Sequence, residues 1–148
     1  NLYGKGDNYH PSNSHVLPAL LDRFHTHKLE QKNFIECWGS GNPRREFMHV
    51  DDAALGINFL INNNCSGELI NICWGKDHKI KEVIDICKDI IGFDGEIIWD
   101  SSKPDGMMQK LQSAEKLKNL GWEPEISLEE GLDKTINWFF KNRDNIRL

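Results

Sequence analysis

The stretch from Trp38 to Asp52 constrains the fold of this chain more than any other. It opens with Gly39-Ser40-Gly41-Asn42-Pro43, a turn in which the glycines permit φ > 0 and the proline fixes the exit. An extended segment from Arg45 to Val50 follows. Alternate side chains of a strand share a face, so Arg45, Phe47 and His49 are predicted to point one way and Glu46, Met48 and Val50 the other. Asp51 stands where a helix N-cap belongs, its carboxylate accepting the first free N–H groups of a helix from Asp52 to about Asn63. That helix carries Ala53, Ala54, Leu55, Ile57, Phe59, Leu60 and Ile61, so it is apolar nearly all round and is expected to be buried on two sides. Leu69 to Cys73 is then a continuous apolar run, the mark of a buried parallel strand. Helix followed by buried strand predicts a piece of a doubly wound α/β sheet. Arg45, a guanidinium just after a glycine turn, is well placed to grip a phosphate with two parallel hydrogen bonds.

The remaining elements are read from periodicity and caps. Asn1 to Gly4 reads as the end of a strand and residues 5–13 as loop. Ser14 is expected to cap a helix running to about His27, with Pro18 harmless in its first turn and Leu17, Leu20, Leu21 and Phe24 as its apolar stripe. His15 and Arg23 on that helix lie about 12 Å apart along its axis on roughly one side. That span suits two ends of one extended ligand. His25 and His27, two residues apart, face different ways and do not make a metal pair. Asn33 to Trp38 reads as a strand. Ile80 to Ile91 reads as a helix closed by Gly92, and Glu96 to Trp99 as a strand. Lys103-Pro104-Asp105-Gly106 is a turn by composition. Ser113 is expected to cap a short helix to Leu120. Ser127 and Glu130 form a capping box for a last helix with stripe Leu128, Leu132, Ile136, Phe139 and Phe140.

Composition narrows the function classes. Eighteen lysines and arginines against 23 aspartates and glutamates leave a net charge of −5, which argues against non-specific nucleic-acid binding. It leaves room for a few arginines focused on one phosphorylated ligand. No apolar run is long enough to span a bilayer. Cys37, Cys65, Cys73 and Cys87 form no C-x-x-C pair and read as reduced packing residues of a cytoplasmic protein. The chain begins at Asn1 in what reads as mid-fold, and is expected to be a piece of something longer. It carries neither a G-x-x-G-x-x-G-type fingerprint for a dinucleotide nor Tyr-x-x-x-Lys, so by itself it is expected to be inactive.

Arg45-Glu-Phe-Met-His-Val-Asp-Asp52 after Trp38-Gly-Ser-Gly41 resembles the corresponding segment of extended short-chain dehydrogenases acting on nucleotide-sugars. With Asn1-Leu-Tyr-Gly4, His10-Pro-Ser-Asn-Ser-His15, Ser102-Lys-Pro-Asp-Gly106, Leu120-Gly-Trp122 and Ser127-Leu-Glu-Glu-Gly-Leu132, the pattern is similar to the C-terminal half of the GDP-L-fucose synthase family. The resemblance covers essentially all 148 residues.

The resemblance implies an NADP-dependent epimerase-reductase that inverts C3 and C5 of GDP-4-keto-6-deoxy-D-mannose and then reduces the C4 ketone. It implies a homodimer as the intact enzyme. A Cys and a His serve the epimerisations in the family, and a Ser-Tyr-Lys set serves the ketone. By the same matching, His15 is the catalytic acid. Arg23, Trp38, Arg45, Asp105 and Lys110 would hold the GDP-sugar, and Asn1, Leu2 and His15 would face the nicotinamide end of the cofactor. Residues 5–50 and 75–148 would form the substrate domain, and 1–4 and 51–74 would belong to the Rossmann sheet. The residues also leave open a non-catalytic nucleotide-sugar or protein-binding module, or half of a related epimerase or dehydratase. Met107-Met108-Gln109-Lys110 stands where the family reads Thr/Met-Pro-x-Lys. The missing proline is expected to loosen this loop.

Overall fold

The computed structural model describes residues 1–10, 13–63, 65 and 67–146. The chain is mixed α/β. In order it forms β1 (Leu2–Tyr3), α1 (Val16–Leu29), β2 (Phe34–Trp38), β3 (Arg44–Glu46), β4 (Met48–His49), α2 (Val50–Asn62) and β5 (Asp77–Lys79). There follow α3 (Ile80–Ile91), β6 (Glu96–Asp100), β7 (Gln109–Lys110), α4 (Glu115–Asn119), α5 (Leu128–Asn142) and a 3₁₀ turn at Arg143–Asn145. Three small sheets result: β1 parallel to β4, β2 parallel to β6, and β5-β3-β7 with β3 in the middle.

The core lies where α1, α3 and α5 meet. Leu21 and Phe24 of α1, Val83, Ile84 and Cys87 of α3, and Leu132, Ile136 and Phe139 of α5 are buried together with Ile35 and Cys37 of β2. The stripes that make this core are those the 3.6-residue period selects, except that Phe140, expected in the α5 stripe, is exposed. Gly92 ends α3 at φ 66°, a left-handed backbone that glycine adopts without strain. Ser127 Oγ accepts the Glu130 N–H at 3.2 Å. The expected box is only half formed, because the Glu130 carboxylate goes to Lys134 instead, at 2.7 Å. Among the described residues β2 is paired on one side only. Along its other edge, α1 donates from Arg23 to the Glu36 carbonyl at 2.6 Å and places His27 Nδ1 2.8 Å from the Phe34 carbonyl.

Several expectations are corrected. The Arg45–Val50 segment is broken at Phe47, because the chain leaves the β5-β3-β7 sheet there and joins β1. Its alternation is lost, and Glu46, Phe47, Met48 and His49 are all buried. Asp51 is not the cap of α2. Val50 is already helical and His49 Nδ1 accepts the Asp51 N–H at 3.2 Å. Ser14 does not cap α1, whose N-cap is His15 without a side-chain bond; the Ser14 N–H is turned back to the His10 carbonyl at 3.1 Å. Ser113 sits one residue too early to be the N-cap of α4, which is Ala114, although its hydroxyl accepts the Glu115 N–H at 3.3 Å. Leu69 to Cys73 is not a strand, since no described strand lies beside it to supply a ladder. Leu69 is 86% exposed. α2 is not covered on two sides either: Leu55, Ile57 and Ile61 are exposed.

Asp52, fully buried, accepts the Glu125 and Ile126 N–H groups at 3.1 and 2.9 Å, pinning the start of α2 to the entry of α5. The four thiols are free. Burial pushes Cys87 up to about 12 and Cys73 to about 11, so both stay protonated and unreactive near neutrality. Among the described residues no helix is long and apolar enough to cross a membrane.

Gly131 of α5 gives the fold its sharpest packing test. A methyl there would meet the Tyr3 hydroxyl of β1. Helix propensity favours Ala over Gly by about 1 kcal/mol, while overpacking costs about 1–3 kcal/mol. Gly131→Ala should therefore lower the urea midpoint, and Tyr3→Phe in the same chain should recover part of the loss. A raised midpoint in the single variant would show that α5 does not press on β1.

Candidate functional site

The turn predicted to organise the chain is held from two directions. Gly39 and Gly41 have φ of +79° and +71°. Ser40 donates its N–H and its hydroxyl to the two carboxylate oxygens of Asp105 at 2.6 and 2.7 Å. From the other side, the Gly41 and Pro43 carbonyls accept the Lys81 and Ile80 N–H groups, each at 3.0 Å. These are among the first N–H groups of α3, which have no partner inside the helix. A Cβ at Gly41 would strike the Trp99 ring, so the close approach to β6 also requires glycine.

Beside this turn lies a cavity of about 370 Å³. Asn1, Leu2, His15, Trp38, Arg45 and Asp105 all line it. They come from β1, the cap of α1, the end of β2, β3 and the loop after β6, which are far apart in sequence. The indole of Trp38 is 68% exposed, and the Lys103 ammonium stands 5.7 Å from its ring centre. His15 is exposed at the N-cap of α1.

The two adjacent arginines are used differently. Arg44 is committed to Asp77: its Nε and one terminal nitrogen both lie 2.7 Å from Asp77 Oδ1. Gln109 Nε2 donates to the other carboxylate oxygen at 2.6 Å. That amide, with Arg44 behind it, holds the Asp77 carboxyl below its usual range. Arg45 makes one bond, to the Arg44 carbonyl at 2.8 Å, and forms no ion pair among the described residues. Its remaining N–H donors are available on the cavity side. Glu46, buried beneath, accepts the Gly75 and Gln112 N–H groups at 2.8 and 3.1 Å.

Two of the residues expected at the site are not on the cavity wall. Arg23 lines a separate depression with Tyr9 and Asp22, its guanidinium held by the Glu36 carbonyl. Lys110 is exposed on β7, directly beside Arg45 in the sheet. The segment carrying it is not loosened by the missing proline, because Met108 O accepts the Arg44 N–H at 2.7 Å and Gln109–Lys110 pair with β3. The Asp105–Ser40 clamp and the Arg44–Asp77–Gln109 cluster escaped sequence reasoning. No local signal names partners 33 and 65 residues away. Among the described residues no group of His, Cys, Asp and Glu could hold a metal ion.

Residues 1–73 match the NAD dependent epimerase/dehydratase family. Over 142 residues, 96% of this chain, it is 46% identical to GDP-L-fucose synthase 1 of Arabidopsis thaliana. It is 45% identical to the GDP-L-fucose synthase of Escherichia coli K12, with 99% of the chain covered. The chain is thus similar to the GDP-L-fucose synthases. It spans 44% and 49% of the length of those two relatives. A GDP-L-fucose synthetase from Naegleria fowleri bound to NADP superposes on the whole chain with a TM-score of 0.91 at 28% identity, 47% of that protein being covered. The α/β arrangement is thus that of the extended short-chain epimerases and reductases, and this chain spans about half the length of those it superposes on.

The clamp makes a pH prediction. The Asp105 carboxyl is held below its usual range, first by the Ser40 N–H and then by the Ser40 hydroxyl. A depressed folded value stabilises the fold above the unfolded value and loses that contribution as pH falls through the folded value. Asp105→Ala should therefore melt below the parent at neutral pH, with the gap narrowing as the solution is acidified through and below the carboxylate range. A gap in melting temperature that stays constant with pH would show that the Asp105 charge does not hold the turn.

Proposed function

We propose that the protein carrying this chain converts GDP-4-keto-6-deoxy-D-mannose to GDP-L-fucose with NADPH, and that this chain is its C-terminal half and supplies the face that meets the sugar nucleotide. The observation that carries the reading is the convergence of His15, Trp38, Arg45 and Asp105 on one cavity, together with the likeness to GDP-L-fucose synthases. Arg45, free of any carboxylate partner among the described residues, suits a diphosphate gripped through two parallel hydrogen bonds. Trp38 offers a flat apolar face, and Asp105, besides holding the turn, retains lone pairs for ribose hydroxyls. Lys110 meets the phosphates from the neighbouring strand. Arg23, about 12 Å along α1 from His15, reaches only the far end of an extended ligand.

C3 and C5 of the sugar both flank the C4 ketone, so their protons are acidified by enolate formation. Inversion needs a base on one face and an acid on the other. His15 on the cavity rim is the acid, because imidazole exchanges protons near the working pH. NADPH, when bound, supplies the hydride for C4. Asn1, Leu2 and His15 would stand at its nicotinamide end, while residues 1–4 and 51–74 belong to the nucleotide-binding domain, the rest of which covers the exposed face of α2. The 148-residue chain alone leaves NADPH unoxidised. The intact enzyme is a homodimer, and its unpaired thiols fit the reducing cytoplasm.

Nucleotide choice is tested by thermal shift of the full-length protein: GDP should raise the melting temperature more than UDP, and equal shifts would count against the GDP assignment. Arg45→Lys keeps the charge but loses the bidentate fork, and should weaken GDP-sugar binding roughly tenfold in titration calorimetry. An unchanged dissociation constant would remove the phosphate role.

The acid is tested in heavy water. His15→Gln should leave GDP binding close to normal and slow deuterium uptake at C3 and C5 by about 10²-fold or more. Wild-type uptake in that variant would reduce His15 to a helix-end residue.

A further inference from the structure

The cavity wall carries apolar side chains of two kinds. Leu17, Pro18 and Phe47 touch the cavity but are buried, and their surface is spent on packing. Leu2, Val16, Trp38 and Pro104 line it and remain exposed. Trp38 and Pro104 adjoin the Ser40–Asp105 clamp in the chain, on the side read as holding the nucleotide. Leu2 also borders a second cavity with Met48, Ala53 and Ile57. Val16 remains, and it is the chain neighbour of His15.

The start of α1 fixes how these two neighbours stand. His15 is the extended N-cap, and its carbonyl already accepts the Ala19 N–H at 3.1 Å. Val16 is the first helical residue. Of the three apolar residues that follow His15, Leu17 and Pro18 face the core, while Val16 is 41% exposed and lines the cavity. A β-branched side chain in a helix has one strongly preferred rotamer, so Val16 offers its two methyl groups in a set direction.

The sugar of the proposed substrate carries a methyl group on C5, one of the two carbons that His15 serves. A proton donor must come within about 3 Å of the group it serves. Neighbouring Cα atoms are about 3.8 Å apart, so a group bonded to that carbon falls within contact range of the residue beside His15. We propose that Val16 reads the substituent on C5, packing against a methyl group and selecting 6-deoxy sugars over those with a 6-hydroxyl. This rests on the reading of the cavity as a sugar-nucleotide site with His15 at the reacting carbons. A 6-hydroxyl would be set against a side chain with neither donor nor acceptor, and a buried hydroxyl without a partner weakens binding.

The probes are GDP, GDP-mannose and GDP-6-deoxymannose, the last two differing only by the oxygen on C6. Neither sugar nucleotide has a ketone, so titration calorimetry of the full-length protein reads binding without turnover. The parent should prefer GDP-6-deoxymannose by about tenfold, the size of discrimination that one such group gives in an apolar site. Val16→Thr keeps the branched shape and adds a hydroxyl, and should bring the two sugar nucleotides close to equal affinity. Val16→Ala should bind GDP-6-deoxymannose about tenfold more weakly than the parent. GDP should bind all three proteins alike. A parent without the preference would overturn the proposal, as would a Val16→Thr protein that keeps it in full. So would a Val16→Ala protein that loses as much affinity for GDP, or that weakens NADPH instead of the sugar nucleotide. The GDP arm separates the two readings. If the parent binds GDP but does not distinguish the two sugars, the sugar-nucleotide site stands and the role of Val16 falls. If the parent does not bind GDP, the sugar-nucleotide reading falls and takes the role of Val16 with it.

Discussion

The cavity depends on how one serine is held. Ser40 gives both its donors to Asp105, and the Gly41 and Pro43 carbonyls that follow it take up N–H groups from the start of α3. The Gly39–Pro43 turn is therefore fastened to two elements that come later in the chain, one before the cavity wall and one behind it. Trp38 enters that turn and Arg45 leaves it, so their separation and direction follow from the turn's geometry rather than from their own contacts. A loop carrying functional side chains gains precision when a rigid scaffold positions it. Here the scaffold is the α1-α3-α5 core, and the carboxylate of Asp105 is the point of attachment on the far side.

Much of this was legible in the sequence. The stripes of α3 and α5 and the glycine that closes α3 came from period and cap rules that depend only on neighbours within a turn or two. His15, Trp38, Arg45 and Asp105 were recognised by resemblance, and the fold brings all four to one cavity. Failures came where a distant partner decides the outcome. Leu69 to Cys73 has the composition of a buried strand, but a strand is made by its neighbours, and none lies beside it among the described residues. The cap of α2 went to His49 rather than Asp51 because the chain turns into β4 before the helix, a choice made by pairing with β1. Arg23 lies off the cavity wall and gives one of its donors to a strand edge, since helix geometry gives its direction but not what lies opposite.

The break at Phe47 separates two tasks along one short stretch. Residues before it, on β3, present Arg45 to the cavity and Arg44 to Asp77. Residues after it, on β4, are buried against β1 and α5, with Tyr3 edge-on to both Phe47 and His49. A continuous strand would have tied these faces to one alternation. By changing sheets within a single residue, the chain buries four consecutive side chains and still leaves one arginine facing the opening.

The side chains that α1 lays along β2 have a consequence for the protein's behaviour at high concentration. An open strand edge is a template on which another chain can add in register, and proteins commonly guard such edges with charge. Arg23 and His27 occupy two successive outward carbonyls of β2, at Glu36 and Phe34. An incoming strand would have to displace both before its first ladder bond could form. The same helix that frames the cavity thus acts as a guard rail against sheet extension, and it does so with residues whose types alone would suggest only ligand contact.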